Sequence, residues 1–179
     1  MANFCNTLES ILKNCVYSNG GVVKMWLNNG HIYDGAPSLG AEEIVTGATF
    51  VTGATSWAEF KFNPNTSSFE ENATVDLQNN TTFYTQTINL VLARREAAKR
   101  RKLFLLADGQ PELTAIVKDS NGLYWLFGSL DDKLYLTANE GGSGTAKGDL
   151  NGYTITMTCE DARPAFEIEE ATALSWVAQ

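Results

Sequence analysis

TTFYTQTINLVLARREAAKRRKLFLLADGQP, residues 81–111, changes its period half-way along. Up to Ala93 it is dense in β-branched and aromatic residues, which suit a pleated, half-buried strand. From Arg94 the good helix formers Arg, Glu, Ala, Lys and Leu take over, which predicts a helix over 94–107. Ala97 and Ala98 recur two turns later as Phe104 and Leu105 and share one face. Gly109 suits a C-terminal cap, and Pro111 stops the helix just beyond it.

Strand signals surround this helix on both sides. Upstream, Asn6 with Glu9 three residues on reads as a capping box opening a short helix that ends near Asn14. GGVVKMWL (20–27) is a strand and 28–43 a loop, followed by IVTGATFVTG (44–53) as β. SWAEFKFN (56–63) alternates, with Trp57, Glu59 and Lys61 on one side and Ala58, Phe60 and Phe62 on the other. FEENATVDLQ (69–78) adds a further strand. Downstream come 112–119, 123–128, 133–138, a glycine-rich loop at 141–148, and GYTITMTCE (152–160), whose alternating threonines mark a half-buried strand. The expected fold is mainly antiparallel β, a β-sandwich or open barrel, with one flanking mid-chain helix and a short N-terminal helix. Residues 1–179 form a single domain: an N-terminal segment to 20, strands and loops over 21–93, the helix, strands over 112–160, and a C-terminal segment 161–179.

Charge is unevenly placed. Residues 94–102 hold six cations (Arg94, Arg95, Lys99, Arg100, Arg101, Lys102) and one anion, in a chain of net charge −8. The remainder carries seven cations against twenty anions, a surface that repels nucleic-acid phosphates over about 8–10 Å in physiological salt. No basic start runs into a long apolar stretch, so no signal peptide is expected, and no apolar run is long enough for a membrane helix. Cys5, Cys15 and Cys159 read as free thiols, with a Cys5–Cys15 bridge as the minor alternative.

No catalytic or metal-binding pattern stands out. His31 is the only histidine, and no Cys-x-x-Cys spacing accompanies it. A Cys–His pair with His31 lacks a supporting motif, and the carboxylates at 42–43, 70–71, 131–132 and 167–170 read as solvated surface. GGSGTAKGD (141–149) lacks the phosphate-loop spacing, so Gly141, Gly142 and Gly144 read as a flexible inter-strand loop free to order against a partner. Trp26, Trp57, Trp125 and Trp176 could line a sugar site, although Trp57 and Trp125 sit in strand patterns. The basic helix has three readings: a DNA element, a membrane-surface helix, or a protein contact. Alanines are the only apolar residues among its cations, against the membrane reading. The acidic surface of a second copy offers a ready complement, and such basic-to-acidic contacts generate rings or filaments.

REAAKRRKLFLLADGQPELTAIVKDSNGLYWLFG (95–128) and GTAKGDLNGYTITMTCEDARPAFEI (144–168) together resemble tail-tube-like structural proteins of tailed bacteriophages, of the kind found in phages of Bacteroides-like bacteria, including the crAss-like group. FCNTLESILKNCVYSNGGVVKMWL (4–27) fits more loosely. The resemblance implies a β-sandwich flanked by a helix, assembled into stacked and commonly hexameric rings around a channel through which DNA passes without specific binding. It implies no catalysis, no cofactor, no metal and no membrane, and the chain itself and other phage tail proteins as partners. The place would be the virion tail, after assembly in the host cytoplasm. One departure is the unusually cationic helix. The alternatives are a tail adaptor or terminator ring, a β-sandwich carbohydrate-binding module, and an enzyme with unplaced carboxylates. In the tube reading Arg94, Arg95, Lys99, Arg100, Arg101, Lys102, Gly141, Gly142 and Gly144 form the assembly interface, with 28–43 and 141–148 ordering only on assembly.

Overall fold

The computed structural model describes residues 11, 15–29, 35–51, 56–129 and 132–178. In chain order the strands before the mid-chain helix are β1 (Val22–Asn29), β2 (Ser38–Leu39), β3 (Val45–Gly47), β4 (Ala58–Lys61), β5 (Ser68–Asp76) and β6 (Thr81–Ala93). Helix α1 (Ala97–Asp108) follows, then β7 (Leu113–Asp119), β8 (Tyr124–Phe127), β9 (Tyr135–Gly142), β10 (Gly152–Asp161), β11 (Phe166–Ile168) and α2 (Glu170–Val177). A 3-10 turn, Ala41–Glu43, separates β2 from β3.

These strands form two sheets. One has seven strands in the order β2-β3-β11-β8-β7-β1-β4, and the other four in the order β5-β6-β10-β9. Pairing is antiparallel except between β3 and β11. The seven-stranded sheet is apolar on both faces because its central strands alternate between two cores. Met25, Leu27, Ala115, Val117 and Phe127 point at the four-stranded sheet, where they meet Ile88, Leu90 and Leu92 of β6 and Tyr153, Ile155, Met157 and Cys159 of β10. Trp26, Ile116, Tyr124 and Leu126 point the other way, onto Phe166, Ile168 and the Ala173 and Trp176 side chains of α2. Burying each large side chain completely contributes about 1.5–3 kcal/mol, so both cores hold the central sheet in place. A mainly antiparallel β-sandwich with a mid-chain helix is thus the fold, as the strand patterns imply. Tyr153, Ile155, Met157 and Cys159 are buried and Thr154, Thr156 and Thr158 half-buried, as their alternation requires.

Several boundaries move. The helix begins at Ala97, not Arg94, because Arg94 takes a left-handed backbone (φ 65°) to turn the chain out of β6. At its other end Gly109 stays helical (φ −77°), and Gln110 supplies the left-handed turn (φ 39°). β1 starts at Val22, and among the described residues of 44–53 the regular strand is β3 alone. The 28–43 segment contains the end of β1, all of β2 and the 3-10 turn. Gly141 and Gly142 belong to strand β9, paired with Tyr153 and Gly152, so the glycine-rich loop is shorter than its sequence suggests. The C-terminal segment, with no element assigned from sequence, holds β11 and α2. The N-terminal helix, Cys5 and His31 lie outside the described residues. Among those described, no helix is long and apolar enough to cross a membrane.

Candidate assembly interface

The strand-to-helix junction brings much of the basic segment together with the glycine-rich turn. Gly152 of β10 pairs with Ala93, the last residue of β6, and with Gly142 of β9. Arg94 follows directly, its N–H donating to the Asn151 carbonyl at 2.5 Å. The Arg94 side chain turns back to Glu96, with Nε 3.0 Å from Oε1. Arg95 lies over the Tyr153 ring, 5.6 Å from its centroid, and Tyr153 in turn crowds Gly141, where a Cβ would sit 3.0 Å from the ring. Lys99 Nζ donates to the carbonyls of Ala93 (2.7 Å) and Arg94 (3.2 Å). Arg94, Arg95 and Lys99 are therefore engaged within the chain; Lys99 ties the junction backbone, while the Arg94 side chain stays 82% exposed in its pair with Glu96.

Arg100, Arg101 and Lys102 differ. All three are exposed, and no ion pair reaches them among the described residues. The inward stripe of α1 is Lys99, Leu103 and Leu106, at helical i, i+4, i+7 spacing, with Leu103 and Leu106 packed on the core between the sheets. Ala97, Ala98, Phe104 and Leu105 do share a face, as their seven-residue spacing implies, and that face points outward. Phe104 is 60% and Leu105 58% exposed, against 3% for Leu103. Arg101 falls between them on the same side. The cations crowd the N-terminal half of α1, where the helix dipole disfavours positive charge, and its first turn carries no acid. That placement does not serve the helix's own stability.

The glycine-rich turn is ordered within the single chain. Asp149 Oδ2 accepts the N–H groups of Thr145 and Ala146, each at 2.8 Å, and these bonds hold its carboxyl below the usual carboxylate range. Gly144 (φ 68°) sits against the Asp149 side chain, where a Cβ would collide. The expectation that this loop orders only on assembly is therefore replaced by a turn already closed by Asp149.

A feature without a sequence-level reading is the hairpin of β5 and β6. The pairing of β10 with β6 stops at Tyr84, so among the described residues 74–83 form a two-stranded ribbon with no third strand. Val75 (59% exposed) and Leu77 (90%) lie at its end beside Asp76. An apolar pair among polar residues just before the turn QNN was the available signal.

An open groove of about 450 Å³ on the far side of the seven-stranded sheet is lined by Ile44, Leu123, Tyr124 and Glu167–Glu170. At its edge Lys118 donates to the Tyr124 hydroxyl (2.9 Å) and lies 3.8 Å from Glu170; these contacts, the tyrosine first, raise the lysine's pKa and keep it protonated. A protonated lysine there is no base. Among the described residues no group of three or more His, Cys, Asp or Glu side chains is placed to hold a metal. Trp26 and Trp176 are buried and Trp57 and Trp125 pack against the cores, so the four tryptophans form no exposed sugar platform. No protein-family model matches the chain, and no curated protein matches it.

Proposed function

We propose that the chain is a structural subunit of a bacteriophage tail tube, non-catalytic, closing into rings that stack around a channel for DNA. The observation that carries this reading is the four-stranded sheet. Its strands bear Glu70, Glu71, Asp76, Glu140, Glu160 and Asp161, and not one lysine or arginine. Glu70, Glu140 and Glu160 are exposed, and the register sets them among half-exposed threonines: Glu70 beside Thr87, with Thr158 on the next strand, Glu140 beside Thr154, Glu160 beside Thr85. A polar sheet face of this kind repels phosphate and offers no cationic grip, which is what a wall along which DNA slides requires.

The same sheet supports the ring. Its edge strands β5 and β9 are exposed, and among the described residues no strand pairs with their outer edges. Unpaired edges are templates for joining further strands, and two edges of one sheet joined head to tail give rings when the rotation closes. The resemblance of 95–128 and 144–168 to tail-tube-like proteins points the same way. Negative-stain microscopy at rising protein concentration tests the reading. Stacked rings with a central hole are expected; single rings that never stack assign the chain to an adaptor or terminator, and a persistent monomer overturns the proposal.

A further inference from the structure

Two exposed apolar patches of opposite charge lie at opposite edges of the four-stranded sheet. The first is the outer face of α1, with Phe104 and Leu105 around Arg101 and with Arg100 and Lys102 flanking. The second is the hairpin end, with Val75 and Leu77 beside Asp76 on a strand that also carries Glu70 and Glu71 and no cation. Sheet order puts β5 at one edge and β9, against which α1 packs, at the other. The two patches therefore belong to different ends of one sheet and meet only between copies.

Each patch has a physical reason to want a partner. A two-stranded ribbon is marginal in water by itself, and among the described residues no third strand joins 74–83. Cations near the start of α1 oppose its dipole, a cost that a neighbour's carboxylates offset. We infer that the β5–β6 hairpin of one copy docks on the outer face of α1 of the next, Leu77 and Val75 against Phe104 and Leu105, with Asp76 toward Arg101. The contact uses two different surfaces, so it propagates head to tail, around the ring that the proposed function requires and on which this inference rests. Asp76 meets it as an anion: the Asn79 and Gln78 N–H groups and the Asn79 side chain hold its carboxyl below the usual range.

Phe104→Asp and Leu77→Asp in the full chain test it. Both positions are exposed, so each variant should melt as the wild type does by circular dichroism. In sedimentation velocity each should raise the concentration for half-assembly on the order of tenfold or more. Mixed in equal amounts, the two retain one intact junction, the hairpin of Phe104→Asp on the helix of Leu77→Asp, and should stop at a one-to-one dimer. Either variant assembling like the wild type, or a mixture no larger than its parts, overturns the contact. Wild-type rings that both variants still form sink this inference alone. Wild-type filaments without a hole, abolished by both variants, keep the contact and sink the tube; a wild type that stays monomeric sinks both.

Discussion

Lys99 is the residue at which a charge count misleads. In sequence it is one of six cations, yet its ammonium satisfies two carbonyls, Ala93 and Arg94, at the point where β6 ends and the backbone turns left-handed. Lys99→Ala is expected to cost about 1–2 kcal/mol in a denaturant melt, the worth of charged hydrogen bonds to backbone, whereas Arg100→Ala should stay within about 0.5 kcal/mol. Equal melts for the two would remove Lys99 from the junction. Cys159 is a second such residue. It is buried, its Sγ lies 3.2 Å from Gln86 Oε1, and burial first, then the Asp161 charge, push its pKa from 9.0 up to about 12. A thiol held protonated in the fold and ionised in the unfolded chain contributes stability that is complete below pH 9.0 and is lost as pH rises toward 12. Relative to Cys159→Ala, the wild type should therefore lose up to about 1.4 kcal/mol per pH unit across that window. At pH 8 a maleimide should label exposed Cys15 and spare Cys159 in the native protein; equal labelling would refute the buried-thiol account.

At the level of elements, the decisive joint is where the two sheets meet. Leu113, which opens β7, and Leu134, just before β9, exchange both backbone hydrogen bonds at 2.9 Å. Gly128, with φ 64°, ends β8 against this bridge, and a Cβ there would meet the Leu113 carbonyl oxygen at 2.7 Å and the Leu134 nitrogen at 2.8 Å. Gly128→Ala should cost about 3 kcal/mol or more in thermal unfolding, with strain and collision acting together. The turn after β9 carries a milder prediction. In Asp149→Ala the amides of Thr145 and Ala146 should exchange faster than in the wild type already in the monomer; unchanged exchange would mean that the carboxylate does not close the turn. What was legible in sequence at this scale was periodicity: β6, α1, β7 and β10 announce themselves because their apolar spacing repeats over two or more turns or pleats. Helix α2 is only eight residues long, and its buried pair Ala173 and Trp176 is a single i, i+3 step, too short a repeat to declare itself. At the hairpin end the sequence offers only the apolar pair before QNN, and the composition that marks β5 as a strand does not say whether a third strand joins its far half. Likewise the spacing that groups Phe104 with Ala97 fixes a shared side of the helix but not which side faces the core.

For the whole molecule, charge separation is the feature that sequence states most plainly and structure sharpens. The six cations lie in α1 and the turn before it, while the strands of the smaller sheet carry carboxylates alone. Were the basic segment a nucleic-acid grip, duplex DNA would meet Arg100, Arg101 and Lys102 on one short helix beside an acidic sheet, with Arg94, Arg95 and Lys99 already engaged. Three lysine- or arginine-to-phosphate contacts give a weak, salt-sensitive encounter, each contributing about −0.9 to the slope of log affinity against log salt. The wild type should therefore leave a short duplex unretarded at about 150 mM salt, where charges beyond about 8 Å are screened. Reversing the wall provides the complementary measurement. Glu70→Lys, Glu140→Lys and Glu160→Lys together add two charges at each position and move the net charge from −8 to −2. All three positions are exposed, so the fold should survive. Fluorescence anisotropy with a labelled duplex should now report binding, with a salt slope of up to about −2.7 per chain and a steeper one in assembled material, where the faces adjoin. Retardation by the wild type, or a triple variant as indifferent to DNA as its parent, would show that the acidic face does not set how this molecule treats nucleic acid.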